Sequence, residues 1–138
     1  MAGLLDLSEK IETSAARAYA AFSFILGEGN VKQRKFWADM AQEEWGHASL
    51  VGSARFLLGR SGGLAAPAGF EYAASGKAIL DRLAAADEMI RKGGFTLREA
   101  FEAAIEIEES EANRIFARIC GILAEAATAE WLGYLAEA

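Results

Sequence analysis

The sequence predicts an all-α protein, and three observations carry the prediction. Proline occurs once in 138 residues. Ala, Leu, Glu and Arg outweigh the β-branched and aromatic residues that strands favour. Apolar residues recur at helical spacing through most of the chain. With 53% hydrophobic and 25% charged residues, the composition suits one domain with a buried core rather than a disordered segment.

The first helix is predicted from about Leu5 to Leu26, ended by GEGN, and the second from about Val31 to Leu58, ended by GRSGG. The short glycine-rich turn between them makes the pair antiparallel neighbours. Residues 61–75, SGGLAAPAGFEYAAS, hold the only proline and several glycines, and read as a crossover linker. A third helix is predicted from about Gly76 to Lys92, closed by Gly93 and Gly94. Thr96 and Glu99 form a T-x-x-E capping box, which opens a long helix expected to run from Leu97 to about Ile122. A last, short helical segment is expected from about Ala126 to Ala138. The stretch IETSAARAYA (11–20) is echoed by IEESEANRIFA (107–117), each placing a glutamate where a core residue is expected.

Composition also excludes function classes. A net charge of -6 without a Lys/Arg cluster argues against nucleic acid as a partner, because phosphate-backbone binders carry a basic face. The start, MAGLLDLSEK, lacks a basic segment followed by an apolar stretch, and the apolar run AYAAF is far too short to span a bilayer. A soluble, cytoplasmic protein with no membrane partner is expected. Cys120 is the only cysteine, so neither an internal disulfide nor a thiolate cage for zinc or iron can form. Any metal must sit on oxygen and nitrogen.

Oxygen and nitrogen donors do lie on the predicted inward stripes. On the second helix the line Trp37, Met40, Glu44, His47, Val51, Ala54, Leu58 is apolar except at Glu44 and His47, the only histidine of the chain. Three residues apart, that pair projects from one side of a helix. The line Phe101, Ile105, Glu108, Ala112, Ile115, Ile119, Ile122 is broken only by Glu108, with Glu111 beside it one turn later. On the first helix Leu5, Glu12, Tyr19 and Leu26 are seven apart, with Glu12 the odd member. The row Glu99, Glu102, Glu106, Glu109 reads instead as a solvated face. Each inward glutamate taken singly could be a boundary residue paired with arginine. Taken together they need positive charge, and no lysine or arginine lies on these lines before Arg118. A first-row metal such as iron or manganese suits several carboxylates and one imidazole better than calcium or structural zinc does. Tyr19, Trp37, Met40, Trp45 and Phe116 read as packing residues and Cys120 as a small core residue.

The segments ETSAARAY (12–19), AQEEWGHA (41–48) and FTLREAFEAAIEIEESEANRIF (95–116) resemble the rubrerythrin-like branch of the ferritin-like superfamily. The resemblance implies a single ferritin-like domain over residues 1–138: an antiparallel four-helix bundle with a long crossover and, here, a shortened fourth helix. It implies a diiron-carboxylate site with Glu12, Glu44, His47, Glu108 and Glu111 as metal ligands, Glu44 and Glu108 bridging. It also implies an oxidoreductase of ferroxidase or peroxidase type. The chain departs from the pattern where the fourth helix should bring a second E-x-x-H and offers TAEWLGYL (128–135), with Thr128 and Trp131 at those places. A rubredoxin-type module is also lacking, so electrons would come from an external donor. The missing imidazole leaves three arrangements open: a lopsided dimetal site completed by water, a single metal, or a homodimer in which two chains share the site. The rival reading is a helical assembly or interaction protein whose metal site is degenerate.

Overall fold

A computed structural model describes residues 2–60, 72–110 and 112–137. These residues form five helices, α1 (Ala2–Leu26), α2 (Val31–Arg60), α3 (Tyr72–Lys92), α4 (Leu97–Glu108) and α5 (Ala112–Glu137), and contain no strand. The all-α class is as expected. The predicted linker lies outside the described residues up to residue 71, and α3 starts at Tyr72 rather than Gly76.

The α1/α2 hairpin is the largest helix contact and sets the frame of the molecule. Gly27 to Asn30 reverse the chain: Gly29 adopts φ +69°, Asn30 accepts the Gln33 amide on its side chain, and the Arg34 guanidinium donates to the Gly27 carbonyl. From this turn the helices run antiparallel in one register. Ser23 donates to the Arg34 carbonyl, Tyr19 packs on Trp37, Glu12 faces His47, and Arg55 reaches both Asp6 and Glu9. The ion pairs are solvent-exposed and contribute little. The apolar seam between the helices supplies most of the stability.

α3 approaches α1 closely at Gly76, where a side chain would press on Leu7. Gly93 and Gly94, at φ +69° and +72°, turn α3 into α4, and Thr96 and Glu99 form the reciprocal capping box that the sequence predicts. Leu5, Ile11, Tyr19, Phe22, Trp37, Val51, Ile79, Leu83, Ile107, Ile115 and Ile119 belong to one buried core, with a chain of ring contacts from Phe95 through Phe22 and Trp37 to Phe101 at its turn end.

The long helix expected over 97–122 is instead two helices, and the expected short last helix is the end of the 26-residue α5. The break falls at EIEESE, where Glu106, Glu108, Glu109 and Glu111 place like charges three residues apart. There the Ser110 amide and hydroxyl both donate to the Ile107 carbonyl, tightening the last turn and competing with a continuing helix. Further on, Leu123 to Ala127 contain only strong helix formers, so nothing stops α5 before its end. The break also changes the phase of α4. Ala100, Ala104 and Ile107 are buried while Ile105, expected inside, is 52% exposed. The row Glu99, Glu102, Glu106, Glu109 is exposed as expected.

Because a Cβ on Gly27 would overlap the Ser23 carbonyl oxygen and stand 2.6 Å from the Arg34 Cβ, Gly27→Ala should cost about 1–3 kcal/mol. Urea unfolding should show a lower midpoint with an unchanged slope.

Candidate metal centre

Halfway along the α1/α2 seam, the heptad stripes of both helices carry polar side chains at the same level. Glu12 is 3% and Glu44 5% exposed, the only buried acidic residues among those described. His47, one turn after Glu44, directs Nδ1 at both carboxylates, 3.3 Å from Glu44 Oε2 and 3.4 Å from Glu12 Oε2. One donor atom from each of the three residues lies within 4.8 Å of the others, and among the described residues no other group of His, Cys, Asp and Glu side chains converges this way. Neither glutamate has a lysine or arginine within ion-pair distance among the described residues.

α5 closes the site from the side. Phe116 stacks on the imidazole with ring centroids 4.1 Å apart and planes 26° from parallel, leaving the His47 side chain 21% exposed. Phe116 packs, as expected, and its packing partner is the candidate ligand. Cys120 follows one turn later, half-buried; burial and then the Glu12 charge push its thiol up, which favours the protonated form.

Glu108, the last residue of α4, faces the same region. It is half-buried, and its Oε1 accepts a 2.7 Å hydrogen bond from the Tyr19 hydroxyl. Tyr19, fully buried, is thus part of the site rather than packing alone. The signal for it in the sequence is its place seven residues after Glu12 on one stripe. Burial first, then the bond to Glu108, hold the hydroxyl far above the usual phenol range, so it remains a neutral donor.

Of the five predicted ligands, the structure brings three into mutual contact and places Glu108 nearby, turned to Tyr19. Glu111 lies outside the described residues, as does the side chain of Trp131, and Thr128 is exposed with its hydroxyl on the Ala124 carbonyl. Trp45, expected to pack, is 44% exposed on the outer face of α2.

The electrostatics follow from burial without a basic partner. The Glu12 carboxyl is pushed up to about 9, first by desolvation, then by its hydrogen bond with Glu44 and the charges of Glu44 and Glu108. Glu12 therefore holds its proton at neutral pH, and a cation is a natural replacement for that proton. Comparison with protein-family models, curated proteins and solved structures found no match to this chain.

Glu12 gives the metal-free fold a definite pH dependence. Its folded pKa lies above the unfolded value, so the native state holds a proton that the unfolded chain releases, and stability falls as pH rises from about 4.5 towards 9. The slope is at most about 1.4 kcal/mol per pH unit for one proton. Thermal melts of metal-free protein should drop across this range, and Glu12→Gln should flatten the decline.

Proposed function

We propose that this chain is a metal-binding helical protein. In this reading Glu12, Glu44 and His47 hold iron, or another first-row metal such as manganese, within a diiron-carboxylate site that oxidises Fe(II) or reduces peroxide. The observation that carries the reading is the pair of buried glutamates facing one imidazole, with no lysine or arginine at ion-pair distance among the described residues. Such a cluster is costly on its own and becomes favourable around a cation. The donor set fits: two carboxylates and one nitrogen suit iron or manganese, whereas calcium prefers oxygen alone and structural zinc prefers sulfur.

Bound iron supplies one-electron chemistry between two oxidation states. The chain's own residues do the rest. Glu12, freed of its proton, and Glu44 would present carboxylate oxygens, while His47 presents Nδ1 from the same face of α2 as Glu44. Phe116, stacked on the ring, fixes the direction of that nitrogen and limits solvent entry along α5. In this reading electrons come from an external donor.

The resemblance to rubrerythrins supports the activity, and with it a ferritin-like bundle, by the quoted motifs. The rival, an assembly or interaction protein with a degenerate site, is favoured by Leu132 and Leu135, which α5 leaves 59% and 53% exposed. Metal analysis separates the two. His47→Ala and Glu44→Ala should each sharply reduce bound metal while helical circular dichroism persists; unchanged metal in both variants would refute the site. Metal-loaded protein should also melt higher than chelated protein, by about 4 kcal/mol of linkage when free metal stands a thousandfold above its dissociation constant. A melting temperature indifferent to chelator would favour the rival.

A further inference from the structure

Glu108 poses a question that the three converging donors do not answer. It is close enough for its charge to act on Glu12, yet it is not among the residues whose donor atoms lie within 4.8 Å of one another. Instead, Tyr19 holds it by a 2.7 Å bond. The two partners differ in how firmly they are held. Tyr19 sits mid-helix in α1, 0% exposed, its ring against Trp37, so its hydroxyl is fixed by the core. Glu108 ends α4, and Glu109 and Ser110 after it belong to a turn.

We propose that Tyr19 is a latch on Glu108, holding this carboxylate in reserve beside a first cation at Glu12, Glu44 and His47 and releasing it as a ligand only when a second cation enters. The proposal rests on the metal-binding reading above and adds order to it. The first ion takes the donors already converged. His47 is the only histidine of the chain, and among the described residues α5 brings Phe116 against it and an outward Thr128, so in this proposal a second ion depends on Glu108. To coordinate through Oε1, Glu108 must give up the tyrosine bond, and that loss is charged to the second ion alone. A charge-assisted hydrogen bond of this kind is strong enough to move an equilibrium about tenfold or more.

This arrangement is opposite in sign to ordinary ligand support. A tyrosine that merely oriented Glu108 for metal would help binding, and its removal would weaken affinity. A latch competes with metal, and its removal tightens affinity at the second step and leaves the first unchanged.

The test is a calorimetric titration of the full metal-free chain with Mn(II), without oxygen, for the natural protein, Tyr19→Phe and Glu108→Gln. Helical circular dichroism and chelated melting temperatures are recorded for each. The natural protein should bind one ion tightly and a second at least about tenfold more weakly. Tyr19→Phe should tighten the second step about tenfold with the first unchanged, or reveal a second ion where the natural protein shows one. Glu108→Gln should abolish the second step and spare the first. A Tyr19→Phe variant that melts lower yet binds Mn(II) as the natural protein does would make Tyr19 structural only and overturn the latch. Weaker binding in that variant would make Tyr19 an orienting residue, with the same consequence. Loss of the first step in Glu108→Gln would place Glu108 in the first site and also overturn the order proposed. If the natural protein binds no Mn(II) or Fe(II) at all, the metal reading itself fails, an outcome distinct from any failure of the latch alone.

Discussion

The molecule depends on one constraint: two carboxylates are buried in the seam between α1 and α2, and among the described residues no lysine or arginine pairs with them and one imidazole faces both. Every other feature of the site adjusts to that. The antiparallel register brings Glu12 level with Glu44 and His47, and the same register aligns Tyr19 with Trp37 and Arg55 with Asp6 and Glu9. A shift of one residue along either helix would turn the glutamates by about 100° and out of the seam. The tight turn at Gly27, which tolerates no side chain, is therefore as much a part of the centre as the donors themselves.

Apolar residues of similar volume at positions 12 and 44 would pack against Ile11, Ala15, Ala41 and Val51 without desolvating charge, and replacements of that kind are commonly neutral or stabilising. The cost of burying the glutamates is met locally by a retained proton on Glu12 and by the contact with His47. Both devices are what a cation would displace.

Much of this was legible in the sequence, for physical reasons that can be named. Glu12, Glu44 and His47 stand out because each interrupts an apolar stripe inside a long uninterrupted helix, where a 3.6-residue period locates the inward face reliably. The glycine turns and the Thr96 box were legible because backbone geometry restricts which residues can serve there. The break between α4 and α5 was not. No glycine or proline marks it, and it arises from repulsion among glutamates and a serine hydroxyl bonding back to its own chain. Carrying one stripe straight through the break put Ile105 inside, whereas it faces solvent. Tyr19 packs against Trp37 as a tyrosine on an apolar stripe should, but its hydroxyl bond to Glu108 joins positions far apart in sequence and leaves no local signal.

The placement of all three converged donors on a single helical hairpin bears on the order in which the fold can assemble. Closing a short loop between neighbouring helices costs little chain entropy, whereas Glu108 and Phe116 must be recruited across the whole length of α3 and beyond. The first half of the chain can therefore bring Glu12, Glu44 and His47 together by local contacts, before the distant helices arrive. On the proposed metal reading, a cation present during synthesis would act as a nucleus that draws α1 and α2 into register, and α4 and α5 would dock onto that hairpin.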